Sequence, residues 1–190
     1  HFAAPQFNTA SHQVWIQFDG VNASAHVVLN GSPVCNHDGG YSTFRANITE
    51  LLRDENELTV EVDNSKNDRV YPQKADFTFY GGIYRDVNLI VTDPVHVALD
   101  GTTVTTPDIE SGDGTVNVKV EVTNDSDAKA DVTVRNTVYT SDDQKASEAS
   151  ETTVSVDAAS SAEVSSEAVV AAPKLWSIDD PNLYYVRTEL

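Results

Sequence analysis

The sequence contains no methionine and a single cysteine, Cys35, among its 190 residues. One cysteine excludes an intrachain disulfide and leaves the compartment open between the bacterial cytoplasm and secretion. No apolar run reaches about eighteen residues, so the sequence predicts no membrane-spanning helix. Because position 1 is histidine rather than methionine, we expect that the N-terminus is cut or processed.

Basic residues are scarce, with 12 lysines and arginines against 30 acidic residues and a formal net charge of −18. Both halves are acidic: 6 basic and 12 acidic residues precede Pro94, and 6 basic and 18 acidic residues follow it. Phosphate backbones and anionic lipid surfaces would repel such a chain. We therefore expect neither nucleic acid nor a membrane as a partner, and interpret the charge as a solubility feature.

Long helical periodicity is also missing, and apolar residues alternate with polar ones instead. Val14, Ile16 and Phe18 are predicted to share one face of a strand. Asn30-Gly31 predicts a hairpin with a type I′ turn, because both residue types tolerate positive φ. Thr49 is predicted to N-cap a short turn. Further strands are predicted over residues 24–30, 41–48, 58–62 and 84–91, and a long surface loop over 66–76.

Thr92-Asp93-Pro94 is the predicted domain boundary, which divides the chain into residues 1–93 and 94–190. Beyond it the aromatic residues nearly vanish until Tyr139, and alternating valines predict several short strands. The Ser/Ala/Glu-rich stretch 145–172 keeps this spacing, so we predict strands and turns there. Short strands at such intervals indicate an immunoglobulin-like β-sandwich of about 100 residues. The predicted strands are 116–122, 132–138, 154–156, 164–170 and 184–190.

No pattern singles out the pair of opposed carboxyl groups that glycosidases need. Asn56-Glu57 is the only Asn-Glu dipeptide, but it begins an alternating strand and is interpreted as structural. Cys35 has no patterned base beside it and is predicted to be a free, partly buried thiol. The candidate catalytic set of this chain is therefore empty.

Metal-ligand spacing is equally absent from the five histidines. A weak resemblance to a calcium-binding loop is found in the spacing of Asp108, Glu110 and Asp113-Gly114. Position 12 of such a loop would be Lys119 rather than a bidentate glutamate, so the segment is predicted to be a turn.

One constellation of residues, the stretch from Asp76 to Val87, has a composition unlike the rest of the chain. It contains four aromatic residues beside Gly81 and Gly82. One interpretation is a packed corner, where the glycines permit a bend and Arg85 locks the backbone. The other is the edge of a sugar subsite. The residues alone favour the packed corner.

Six motifs follow one another along the chain: Trp15–Val21, Val28–Gly31, Val62–Ser65, Gly81–Val87, Pro173–Ser177 and Pro181–Tyr184. In this order, the first four resemble the jelly-roll sugar-binding domain of glycoside hydrolase family 2. The last two are similar to the end of that family's immunoglobulin-like second domain. Within the family, Arg85-Asp86 with the upstream Asp76 looks more like β-galactosidase than β-glucuronidase or β-mannosidase.

This resemblance implies an all-β chain: a jelly-roll (galactose-binding-like) β-sandwich over 1–93, N-terminally incomplete, and an immunoglobulin-like β-sandwich over 94–190 that lacks its last strand. It implies a non-catalytic N-terminal fragment of a retaining β-galactosidase, which hydrolyses terminal β-D-galactosides with a (β/α)₈ barrel absent here. The fragment alone is then expected to be inactive and to self-associate through its cut edges.

The resemblance also implies one site residue, Asp76, which would approach the galactose hydroxyls and a bound sodium ion in the parent enzyme. Sodium and magnesium are cofactors implied for the parent, and none is implied for the fragment. An independent carbohydrate-binding module and another family member, such as a β-glucuronidase, are the alternatives.

Overall fold

The computed structural model describes residues 1–4, 12–109 and 112–190. The regular secondary structure of the described chain is antiparallel strands and a 3₁₀ turn at Thr49–Leu51, joined by loops. It divides into two compact units, His1–Asp93 and Pro94–Leu190. The predicted all-β fold is confirmed.

The first unit is a β-sandwich of two three-stranded sheets, in the strand orders β10-β2-β6 and β5-β4-β8. Two short ladders, β1-β7 and β3-β9, complete its described part. Its strands are β1 (Phe2–Ala3), β2 (Gln13–Phe18), β3 (Val21–Asn22), β4 (Ser24–Leu29), β5 (Ser32–Asp38), β6 (Phe44–Asn47), β7 (Glu55–Asn56), β8 (Leu58–Asp63), β9 (Gly82–Ile83) and β10 (Val87–Thr92).

Alternate residues of β2 and β4 form the core of this unit. Val14, Ile16 and Phe18 of β2 are buried, as their alternation predicts, and Val27 and Leu29 of β4 pack with them. Each such side chain stabilises the fold by about 1.5–3 kcal/mol through the apolar surface it removes from water. These residues come from both sheets of the unit and join them through one core.

The predicted type I′ turn is confirmed by φ values of 54° at Asn30 and 80° at Gly31. Asn30 also donates from Nδ2 to the Leu51 carbonyl at 2.8 Å and to Asn56 Oδ1 at 2.9 Å. Asn56 is buried and further donates to the Arg53 carbonyl at 2.7 Å. Asn56 is thus structural, as interpreted from the sequence.

Two local expectations are corrected. The strand predicted over 41–48 spans only Phe44–Asn47, because the Gly40 and Tyr41 carbonyls accept hydrogen bonds from side chains instead of a ladder. Thr49 is not an N-cap, since Ile48 holds that position without a side-chain cap. The Thr49 hydroxyl is buried and accepts a hydrogen bond from the Val14 N–H at 2.8 Å.

The second unit is a sandwich of two three-stranded sheets, β11-β12-β15 and β14-β13-β16. Valines that alternate along β12 and β13 fill its core, and two strands cover most of residues 150–170, as predicted. Its strands are β11 (Val95–Thr105), β12 (Gly114–Asn124), β13 (Ala130–Thr140), β14 (Ser150–Val156), β15 (Ser160–Val170) and β16 (Tyr184–Glu189).

Strand β11 has no counterpart among the predicted strands. Its pairing with β12 shifts between Val97 and Thr102, and Asp100 within the shift has a φ of 63°. Such a bulge places extra residues on one of the two strands and breaks the period of two on which the strand predictions depend. No helix within the described ranges is long and apolar enough to cross a membrane.

Candidate functional site

The glycine-rich end of the constellation forms a packed corner. Gly82 adopts a φ of 84°, which favours glycine. The Tyr84 hydroxyl donates to the Gly40 carbonyl. Arg85 Nη1 donates to the carbonyls of Asp19 at 3.3 Å and Tyr41 at 3.2 Å. Arg85 therefore links the backbone at Asp19 to the backbone at Tyr41, and its role at the corner is structural.

The aromatic start of the constellation is open to solvent. Phe77 is 53% exposed and stacks on Phe79, with ring centroids 4.8 Å apart. Tyr80 is 67% exposed, and its carbonyl accepts a hydrogen bond from Asn22 Nδ2 at 2.7 Å. Exposed ring faces beside polar groups suit the C–H faces and hydroxyls of a sugar.

Residues 64–80, named here the 64–80 loop, are fastened to strands β4 and β5 by an ion pair. Arg69 Nε lies 3.1 Å from Asp38 Oδ2, and its Nη2 donates to Ser24 Oγ at 3.3 Å. The Ser24 hydroxyl in turn donates to Asp38 Oδ1 at 2.6 Å. The Ser24 hydrogen bond, with a smaller contribution from Arg69, holds the pKa of Asp38 below its ordinary value.

Side-chain amides organise the loop from within. Asn67 Oδ1 accepts hydrogen bonds from the N–H groups of Arg69 and Val70, both at 2.9 Å. Gln73 Nε2 donates to the carbonyls of Asn67 and Val70. Val70, whose N–H and carbonyl take part in these bonds, is buried. The predicted surface loop therefore has a defined conformation.

A cavity of about 410 Å³ lies between this loop and the end of β3. Its lining combines residues with side-chain amides, two lysines and Phe79, and no carboxylate of the described residues lines it. The polar residues that line it are Asn22, Asn64, Ser65, Asn67, Gln73, Lys66 and Lys74.

Asp76, the site residue named from the sequence, lies exposed on the same loop. It is not among the residues that line the cavity. Within the described ranges, no group of three or more His, Cys, Asp or Glu side chains could hold a metal ion. Hard cations take several oxygen ligands, so Asp76 fits sodium or magnesium only as one ligand of a site that other residues complete.

The remaining sequence candidates lie apart from this cavity. Cys35 is partly buried, as predicted, and burial raises the pKa of its thiol. Asp113 Oδ1 accepts a hydrogen bond from the Ala172 N–H at 3.0 Å. Glu110 lies outside the described residues.

The two lysines and the amides of the cavity were not recognised as site residues from the sequence. They fall in a segment that has no periodicity, and Asn22 joins them from a distant part of the chain. One signal was available: Lys66 and Lys74 are two of only 12 basic residues, and they lie eight positions apart on one polar loop.

Two antiparallel β-sandwiches, the first with a polar cavity under a long loop, define a multidomain all-β protein. Residues 1–94 match the family model described as "Glycosyl hydrolases family 2, sugar binding domain". Residues 95–190 match the model described as "Glycosyl hydrolases family 2". The chain belongs to glycoside hydrolase family 2, as the resemblance implied.

Similar curated proteins include both β-glucuronidases and β-galactosidases. A β-glucuronidase of Bacteroides fragilis is 31% identical over 186 residues, covering 94% of this chain. Beta-galactosidase BoGH2A of Bacteroides ovatus is 34% identical over 181 residues, covering 92% of this chain. The match spans 26% of the first relative's length and 20% of the second's, so this chain corresponds to about a quarter or less of each.

Solved structures show the same relationship. A crystal structure of Bacteroides uniformis β-glucuronidase superposes with a TM-score of 0.89 at 34% identity. The superposition covers 98% of this chain and 23% of the β-glucuronidase chain. A Bacteroides fragilis structure described as a putative β-galactosidase gives a TM-score of 0.83, also at 34% identity. This superposition covers 92% of this chain and 27% of the Bacteroides fragilis chain.

Proposed function

We propose that this chain forms the non-catalytic N-terminal part of a longer, retaining family 2 glycosidase that hydrolyses terminal β-D-galactosides. The observation that carries the proposal has two parts. Both units match the family's domains in order, and the chain spans only 20–26% of the length of the similar curated enzymes. Catalysis would then reside in a (β/α)₈ barrel that follows these domains.

In this proposal, an exposed apolar segment of the second unit contacts the catalytic domain. Leu175, Trp176 and Ile178 lie on the connection before β16, and Ile178 is 88% exposed. A contiguous set of large apolar side chains on a surface is typical of an interaction site. This chain would thereby brace the barrel.

The first unit would contribute the 64–80 loop to the rim of the active site. Asp76 carries an exposed carboxylate on that loop. A carboxylate accepts hydrogen bonds from sugar hydroxyls and is a hard ligand for a cation. We propose Asp76 as the substrate-binding residue and as one ligand of a sodium ion, the other ligands coming from the rest of the enzyme.

The test is Asp76→Ala in the longer enzyme, assayed with a chromogenic β-galactoside. We expect kcat/KM to fall at least about tenfold, or about 1.4 kcal/mol of transition-state stabilisation. Asp68→Ala is the matched control, because Asp68 is an exposed carboxylate on the same loop and should leave the kinetics unchanged.

Wild-type kinetics of folded Asp76→Ala across a range of sodium concentrations would overturn the role of Asp76. The 190-residue chain alone should show no turnover. Turnover by this chain that is abolished by changing one of its acids would contradict the non-catalytic role.

A β-glucuronidase is the second candidate, favoured by the relatives of that name. One structure of the Bacteroides uniformis enzyme is described as covalently bound to cyclophellitol-6-carboxylate aziridine. The ratio of kcat/KM for a β-galactoside and a β-glucuronide with the same leaving group decides between the two. An independent carbohydrate-binding module would instead bind galactose or lactose saturably at micromolar concentrations without any barrel.

A further inference from the structure

The cavity under the 64–80 loop has an unusual charge for this molecule. The chain carries −18 overall, yet the charged side chains that line the cavity are Lys66 and Lys74. Cations grouped in a concave surface attract anions and raise their local concentration. The lining is therefore positively charged, whereas the chain as a whole is negatively charged.

The carboxylates nearest in sequence are engaged elsewhere or lie off the lining. Asp38 is paired with Arg69 at 3.1 Å. Asp63 Oδ1 accepts the Ser65 N–H at 2.8 Å. Asp68 and Asp76 are exposed on the loop and do not line the cavity. None of these four acids supplies a counter-charge within the lining itself.

The rest of the lining suits a sugar. Asn22 is 7% exposed, and its side chain is fixed by a hydrogen bond to the Tyr80 carbonyl. The side chain of Gln73 is fixed by donating hydrogen bonds to the Asn67 and Val70 carbonyls. These amides form a preorganised polar wall. Phe79 supplies an apolar surface, and a volume of about 410 Å³ falls within the roughly 300–1,000 Å³ of small-molecule sites.

We propose that this cavity binds an acidic saccharide, with Lys66 and Lys74 contacting its anionic group and the amides contacting its hydroxyls. The anionic group is a uronate carboxylate or a sulfate ester, since both present oxygens that accept hydrogen bonds from an ammonium group. The substrate of the longer enzyme would then be a glycoside that carries such a unit. This assignment of substrate class rests on the proposed glycosidase function, but the binding itself does not.

Binding is tested on the 190-residue chain by ¹H–¹⁵N NMR titration with glucuronate, galactose 6-sulfate and methyl β-D-galactoside. We expect saturable shifts within residues 64–80 for at least one anionic sugar, with the neutral glycoside at least about tenfold weaker. Glucuronate alone would identify the carboxylate as the ligand group, and galactose 6-sulfate alone would identify the sulfate.

The variant is Lys66→Gln with Lys74→Gln, which should weaken the anionic sugar at least about tenfold. Lys66→Arg with Lys74→Arg keeps both charges and should retain binding, which separates lost charge from disturbed folding. Lys129→Gln is the matched control, because Lys129 is an exposed lysine of the second unit and should have no effect.

Equal affinity for neutral and anionic sugars would overturn the proposal, and so would unchanged binding by the double glutamine variant. Shifts reproduced by inorganic sulfate and acetate at equal concentration would also overturn it, because they would show general anion binding. Each result leaves the glycosidase function to be judged separately by the activity of the longer enzyme.

Discussion

At the scale of single residues, Asp38 at the end of β5 binds both Arg69 of the 64–80 loop and Ser24 of β4. Its pKa is lowered from the ordinary 3.8, first by the Ser24 hydroxyl and then by Arg69. A carboxyl group whose pKa is lower in the folded state stabilises that state above its ordinary pKa. This contribution disappears as the pH falls through the lowered value.

We therefore predict that Asp38→Asn lowers the free energy of unfolding at about pH 7 and flattens its decline below the ordinary 3.8. Urea unfolding at a series of pH values measures both effects. Asp68→Asn serves as the comparison, since that carboxylate is exposed on the loop. Parallel pH profiles for the wild type and Asp38→Asn would refute the linkage.

Asn124 is a buried amide of the second unit that satisfies backbone groups from two segments. Its Nδ2 donates to the carbonyls of Ala128 at 2.8 Å and Val156 at 3.1 Å, and its Oδ1 accepts the Ser126 N–H at 3.0 Å. Asn124→Ala leaves these groups unpaired, and we predict a loss of about 3 kcal/mol. Asn117→Ala on the outer face of β12 should cost about 0.5 kcal/mol or less in the same unfolding experiment. Similar losses for both variants would show that the network adds little.

At the scale of elements, the corner at β9 depends on the positive φ of Gly82. A side chain in this conformation costs about 1–2 kcal/mol, so Gly82→Ala should destabilise the first unit by that amount. Ile83→Ala tests the neighbouring, partly exposed side chain without backbone strain. If calorimetry finds Gly82→Ala as stable as the wild type, the corner does not require glycine.

Strands with one buried face could be predicted from the sequence, because that face appears directly as a period of two. Val14, Ile16 and Phe18 show this in β2. Strand β11 could not be found in this way, because the shift around Asp100 interrupts its alternation. The Asn30-Gly31 turn was predictable because its conformation depends on two adjacent residues.

The cavity could not be predicted from the sequence, because its geometry comes from contacts without a local pattern. Gln73 reaches back six residues to Asn67, and Asn22 meets the Tyr80 carbonyl across 58 positions. Asp76 came from a family motif, which names a residue without showing its surroundings. The structure adds that Asp76 and the cavity share one loop.

At the scale of the whole molecule, the described part of the first unit has an apolar, uncovered edge. Strand β10 lies at the edge of its sheet and pairs with β2 so that Val87, Leu89 and Val91 stand opposite buried residues. These three side chains nevertheless remain 38–41% exposed. Edge strands with unpaired backbone groups and apolar side chains recruit other chains.

We therefore predict that the 190-residue chain self-associates through β10, with a concentration-dependent increase in mass measured by sedimentation equilibrium. Leu89→Lys should weaken this association at least about tenfold, because it places a charge in the middle of the apolar edge. Val169→Lys is the matched control, since Val169 is an exposed apolar residue on β15 of the second unit and should leave association unchanged. A monomer at every concentration would show that the edge is covered in solution, and equal weakening by both variants would place the contact elsewhere.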